Sequence, residues 1–160
     1  MHRSTPATAI HRQVERLRHG EDPTVVARTG AGWVVLGSPQ VARGYCLLLP
    51  DPVVPRLNDL DQHARQRFLL EMATLGDAIL AVTGAARINY EILGNLEPAL
   101  HAHVFPRSED EPDSVRTRPI WFHDWSAAPT FDRHRDAALI EALAAELRRL
   151  GIVVEDDAGD

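Results

Sequence analysis

The apolar positions along this chain change period several times, and each change marks an element. Residues 11–19, HRQVERLRH, are polar with weak helical spacing and read as a short helix or a disordered arm. After the breaker run GEDP, the segments TVVAR and GWVVLG carry β-branched and aromatic residues bounded by glycine, which predicts a hairpin turning at Thr29–Gly32. GYCLLLP (44–50) is apolar without alternation, the pattern of a strand buried on both faces, and the prolines of PDPVVP stop it. A helix follows from Asp59 or Asp61, either of which can cap its first turn; Phe68, Met72, Leu75, Ile79 and Val82 recur at helical spacing, and Gly84 ends it. RINYEIL (87–93) alternates, with Ile88, Tyr90 and Ile92 on one face and Asn89, Glu91 and Leu93 on the other.

GNLEP makes a turn, and LHAHVF (100–105) is a fifth strand: Leu100, Ala102 and Val104 point one way, His101, His103 and Phe105 the other. Past Pro106 the chain makes an irregular excursion rich in Glu, Asp, Pro and Arg. A last helix spans roughly Asp132 to Leu150, with Leu139, Ile140, Leu143, Leu147 and Leu150 on one side and Arg148 and Arg149 near its C-terminal end. The tail EDDAGD reads as disordered. These elements predict an α+β fold: an antiparallel sheet of about five strands, one long helix packed on it, and a C-terminal helix.

Composition narrows the function. The 160 residues show no internal repeat and are expected to form a single domain, 1–160, with its core over about 24–107 and a C-terminal extension, 108–160. No apolar run approaches the roughly 20 residues of a membrane helix. The start, MHRSTPATAIHRQ, lacks a secretory layout, and the single cysteine, Cys46, cannot form an internal disulfide, so the cytoplasm is the expected compartment. A net charge of -6 argues against a nucleic-acid platform, although a small anion could bind locally. All seventeen basic residues are arginine, which excludes a lysine Schiff base and the lysine of a phosphate-cradling P-loop. Nothing in the chain calls for a cofactor.

The strand LHAHVF carries the candidate chemistry. Alternation puts His101 and His103 on one face with alpha carbons about 6.5–7 Å apart, near enough to meet one phosphate together. A neutral imidazole can attack phosphorus, and its neighbour can stabilise the phosphoryl oxygens or protonate what leaves. Two other readings stand beside this one. The pair can be the polar edge of a half-exposed strand, or two ligands of a zinc ion that needs further ligands from His123, Asp124 or Glu91, with Cys46 of no help.

The stretch running from Asn89 through Gly94-Asn95 to Ala99-Leu-His101-Ala-His103-Val-Phe-Pro106-Arg107, preceded by GYCLLLP and the helix over 59–83, resembles the histidine triad family of nucleotide hydrolases and transferases. The resemblance covers about residues 24–107. The family's signature is three histidines alternating with apolar residues, then two apolar residues and, in the branch resembling dinucleoside polyphosphate hydrolases, Pro-Arg. Anchored on Pro106-Arg107, the third histidine is His103, the second is His101, and Ala99 stands at the first position. In a second register, that of uridylyltransferase-like branches, His103 would be the nucleophile and Phe105 would stand where glutamine belongs. Phe105 cannot donate a hydrogen bond, which favours the Pro-Arg register.

By resemblance His101 is the nucleophile that forms a covalent nucleotidyl-imidazole intermediate, and His103 contacts the phosphate and assists the leaving group. Asn95 matches an amide that orients the phosphate or its bridging oxygen, and Asn89 an asparagine of the preceding strand with a binding or a structural task. Alanine at 99 implies an altered rate or substrate. DPVV and GSPQ stand where many members place a further histidine and a ribose-binding acid. Gln40 or Ser38 could serve a ribose, Trp33 a base and Arg107 a phosphate; each residue also has an ordinary structural reading. Arg116, Arg118 and Trp121 would be the contacts of segment 108–125 if it closes over the substrate. The resemblance implies a homodimer acting at the α-phosphate of a dinucleoside polyphosphate or nucleoside phosphoramidate. A nucleotide-binding module without efficient turnover is the competing expectation, and a histidine metal site is third.

Overall fold

The computed structural model describes residues 7–155, so positions 1–6 and the acidic tail beyond Glu155 lie outside the described residues. Five antiparallel strands form one sheet in the order β1-β2-β3-β5-β4, where β1 is Val25–Arg28, β2 Gly32–Leu36, β3 Cys46–Pro50, β4 Arg87–Glu91 and β5 Ala102–Arg107. The expected α+β fold is therefore present. Helix α1 is Ala9–Arg18, α2 is Gln62–Thr83, a short α3 covers Asp113–Arg116, and α4 is Arg133–Arg149. Among the described residues no helix is long and apolar enough to cross a membrane.

Local signals account for most boundaries. Asp61, not Asp59, caps α2: its carboxylate accepts the Ala64 N–H at 2.8 Å, whereas Asp59 lies in a 3-10 turn and takes the Arg56 guanidinium. Gly84 closes α2 in the left-handed conformation (φ 68°) that a side chain would strain. Helix α1 begins at Ala9, earlier than the polar spacing suggested, because Thr8 and His11 cap it reciprocally while its apolar stripe is only Ile10, Val14 and Leu17. Strand β5 starts two residues later than alternation predicts. The Leu100 N–H is drawn off the ladder by Val54 O at 2.7 Å.

The two faces of the sheet have different coverings. Helices α2 and α4 lie against Val34, Leu36, Cys46, Leu48, Ala102 and Val104, and bury Phe68, Leu75, Ile79, Leu139, Leu143 and Leu147 there. Each such side chain contributes on the order of 1.5–3 kcal/mol by leaving water. The opposite face is covered at one end by α1, over Trp33, Val35, Leu49 and Ala99, and elsewhere by Ile120 against Tyr45 and Phe105. Coverage on both sides explains why GYCLLLP shows no polar alternation. It also leaves the central part of this second face, around His101 and His103, between the two coverings.

Candidate active site

His103 sits in β5 opposite Leu47 of β3 and Glu91 of β4, and His101 immediately precedes the strand. Their rings meet at 4.8 Å between centroids with planes at 76°. The pair therefore shares one face, as strand alternation requires, and β3 and β4 fix it from both sides.

Each Nδ1 has a partner. His101 is 8% exposed and its Nδ1 lies 2.7 Å from the carbonyl oxygen of Ala99. A carbonyl only accepts, so this nitrogen carries a proton, and in the neutral ring Nε2 holds the free lone pair. His103 Nδ1 lies 2.7 Å from the Tyr45 hydroxyl. Burial, with a smaller contribution from His101, pulls the His103 pKa down to about 4 and keeps the ring neutral near pH 7. Among the described residues neither Nε2 has a protein partner, yet neither is sealed: the unpartnered buried side-chain atoms there are Arg65 Nε, His123 Nδ1 and Trp125 Nε1.

His101 opens on a cavity of about 510 Å³, within the usual range for a small-molecule site. Leu57, Ile92, Leu93 and Pro98 supply apolar walls, and Asn95 faces the same space from the 92–98 loop. Glu97 fastens that loop to α1: its carboxylate accepts the Ile10 N–H at 3.2 Å. The Thr8 hydroxyl, the α1 backbone amides and the nearby His101 hold the carboxyl below its usual range against the opposing effect of burial. A larger cavity, about 710 Å³, runs along the outer edge of β4 beside Arg87, Arg116 and Arg118, and neither histidine lines it.

The remaining sequence-derived residues divide by what they touch. Trp121 stands at the site: its ring meets His103 edge-on at 5.4 Å, Trp125 stacks behind it at 4.9 Å, and its indole N–H donates to Glu91. Arg107 is buried and fully engaged, forked onto Glu111 at 2.9 and 2.8 Å and donating to Asn89 Oδ1 at 2.7 Å. Here Arg107 and Asn89 tie β5 to β4 and to the following loop, and offer no free donor fork to a phosphate. Gln40 spends its amide on Gly37 O, Tyr45 O and the Gly44 N–H, so the side chain shapes the β2–β3 connection. Ser38 accepts the Phe131 N–H at 2.9 Å, holding the approach to α4. Trp33 is packed under α1 with its N–H on Asp51 at 3.0 Å, so its ring is core and not a platform for a base.

Arg116 pairs with Asp113, and Arg118 lies over the Phe122 ring at 5.2 Å. Of the further ligands that a zinc ion would need, Glu91 stands opposite His103 in β4 but accepts the Trp121 indole N–H, and the others are engaged elsewhere. His123 donates to Glu111, Asp124 accepts from Ser126, and Cys46 lies on the α2 side of the sheet. No group of three or more metal-ligating side chains occurs among the described residues.

Sequence reasoning overlooked Tyr45. Alternation within GYCLLLP sets Tyr45 and Leu47 opposite Cys46 and Leu48, but reading that strand as core on both sides concealed a polar group aimed at the histidines. The hydroxyl and His103 are 58 positions apart, and only the β3–β5 pairing joins them.

Comparison with known proteins agrees with this fold. A histidine triad protein from Marinobacter aquaeolei superposes with a TM-score of 0.71 at 19% identity, over 91% of this chain and 99% of that one. One from Sinorhizobium meliloti gives 0.66 at 20%, over 82% and 93%. A hypothetical histidine triad nucleotide-binding protein from Sulfolobus tokodaii gives 0.67 at 13%, over 86% and 91%. At such identities the likeness is one of fold. No curated protein matches the chain significantly. The HIT domain model matches residues 19–110, more than half of the chain and both His101 and His103, and the protein belongs to the HIT domain family.

Proposed function

We propose that this protein is a nucleotide hydrolase or nucleotidyl transferase acting at the α-phosphate of a dinucleoside polyphosphate or nucleoside phosphoramidate. The observation that carries the reading is the 2.7 Å bond from His101 Nδ1 to Ala99 O, which in the neutral ring turns the Nε2 lone pair toward a cavity of substrate size. Nε2 attacks phosphorus, and the bond from phosphorus to the leaving oxygen or nitrogen breaks. His103 donates a hydrogen bond from Nε2–H to the departing group, which leaves as the anion or takes its proton from water. Water next attacks the nucleotidyl-imidazole, the P–N bond breaks, the nucleotide leaves, and the proton of the attacking water passes to solvent, restoring neutral His101. Asn95 orients the phosphate from the cavity wall. Trp121, held by Glu91, bounds the side on which the leaving group departs. The unpaired outer edge of β4 supports a homodimer.

The test is a rapid quench with labelled dinucleotide or adenosine phosphoramidate. An acid-labile, alkali-resistant adduct on the peptide containing His101 is expected, with turnover falling roughly a thousandfold or more in His101→Asn. Absence of adduct and turnover together with measurable nucleotide affinity would favour a binding module. That second reading has one observation behind it: Ala99, at the first triad position, is fully buried beneath α1.

A further inference from the structure

We infer that Tyr45 is a positioning residue: its hydroxyl donates to Nδ1 of His103, fixes the proton of that ring on Nε2, and so holds His101 and His103 in opposite tautomers. This deepens the catalytic reading above and rests on it for its consequence, though not for its geometry.

The assignment follows from counting protons. Tyr45 is 4% exposed, and burial, aided by Cys46 and Glu91, pushes its phenol well above its ordinary range, so the O–H keeps its hydrogen. Its one hydrogen-bond partner among the described residues is His103 Nδ1. If that nitrogen carried the ring proton, the phenolic hydrogen would be buried without an acceptor, a costly arrangement. With Tyr45 donating, both groups are satisfied and the single proton of neutral His103 goes to Nε2. His101 is set the other way by Ala99 O. The two outward nitrogens are thereby unlike: a lone pair on one ring and an N–H on its neighbour. That is the division of labour needed by a nucleophile and a leaving-group donor, and it exists before any substrate arrives.

The phenol ring is clamped in place for this task. On one side it stacks on Phe105 with centroids 4.3 Å apart, and Trp125 meets it edge-on at 6.1 Å. On the other it occupies the space of a side chain missing from Gly37, where an added Cβ would fall 2.2 Å from the ring. Glycine is required there because the tyrosine lies across it.

The experiment is nitrogen-15 NMR of the histidine rings in the full chain, which reads the protonated nitrogen directly and needs no substrate. In the parent His103 is expected with its proton on Nε2 and His101 with its proton on Nδ1. Tyr45→Phe, which removes only the hydroxyl, should convert His103 to a tautomer mixture and lower kcat about tenfold, the worth of one well-placed hydrogen bond, with KM little changed. Gly37→Ala should move the ring and produce the same spectral change by a separate route. His103 protonated on Nδ1 in the parent, or a His103 tautomer indifferent to both substitutions, overturns the inference. The two proposals fail separately. Tautomers as stated without any nucleotidyl adduct would remove the catalytic reading alone, and an adduct with an indifferent His103 would remove the role of Tyr45 alone.

Discussion

Arg107 decides between two uses of the Pro-Arg that ends the histidine strand, and Arg107→Met separates them. As a phosphate clamp the arginine would matter to affinity; as an anchor it would matter to stability. Its side chain is 7% exposed and that of its partner Glu111 13%, so the pair is screened little by water. Methionine preserves the packed stem and deletes the fork that binds Glu111, the bond to Asn89 and a 3.2 Å contact with Val115 O. Breaking a buried ion pair from one side costs about 3–5 kcal/mol. Glu111 keeps the Ser108 N–H at 3.0 Å and His123 at 3.1 Å, so the lower end, about 3 kcal/mol, applies. For a chain of this length that lowers Tm by roughly 6–12 °C. Urea unfolding followed by tryptophan fluorescence measures the loss, and hydrogen exchange should place the early opening in segment 108–125. Removing the stranded charge as well, in Arg107→Met/Glu111→Leu, should recover part of the stability. An Arg107→Met protein within about 0.5 kcal/mol of the parent, the range of an inconsequential surface change, whose nucleotide affinity had fallen tenfold would refute the anchor and reinstate the clamp.

Stability should decline in two stages on acidification. The pKa of His103 is depressed to about 4 by burial and by His101, so the folded state resists protonation while the unfolded chain takes up a proton, and stability is lost as pH falls from about 6.5 toward 4. Asp51, held low by Arg18 with the Trp33 N–H, and Glu111, held low by Arg107, Ser108 and His123 against a larger burial effect, add a second loss as pH falls from about 4.5 through their lowered values. Thermal melts across pH 3–8 should show both stages, and His103→Gln should remove only the upper one. Ala99→His should cost about 1–3 kcal/mol by overpacking, because Ala99 is fully buried against α1, and urea midpoints read the loss. Asp61→Ala should cost about 1 kcal/mol through the lost cap of α2, and an unchanged midpoint would contradict that cap.

Much of the fold was legible because local chemistry and the long-range arrangement agree. The hairpin at Thr29–Gly32, the capped and glycine-terminated α2, and the leucine stripe of α4 are each written within a few neighbouring residues. Gln40, Trp33 and Arg107 were harder to assign, since their side chains suit a ligand as well as they suit backbone carbonyls, Asp51 or Glu111. Only the folded neighbourhood distinguishes these uses. Tyr45 was missed for the related reason that its partner is reached through sheet pairing and not along the chain.

That pairing is the step on which both fold and site depend. The register Cys46 to Val104 and Leu47 to His103 sends Cys46, Ala102 and Val104 toward α2 while turning His103 and Phe105 to the other face. A slip of one residue between β3 and β5 would exchange the two sets, burying imidazole in an apolar core and exposing valine. The site is thus protected by the hydrophobic effect acting on residues that take no part in chemistry, and the Tyr45–Phe105 stack adds a second constraint at the same seam. The position of His103 is therefore set by the strands on either side, and that of His101 by its Nδ1 bond to Ala99 O just before β5.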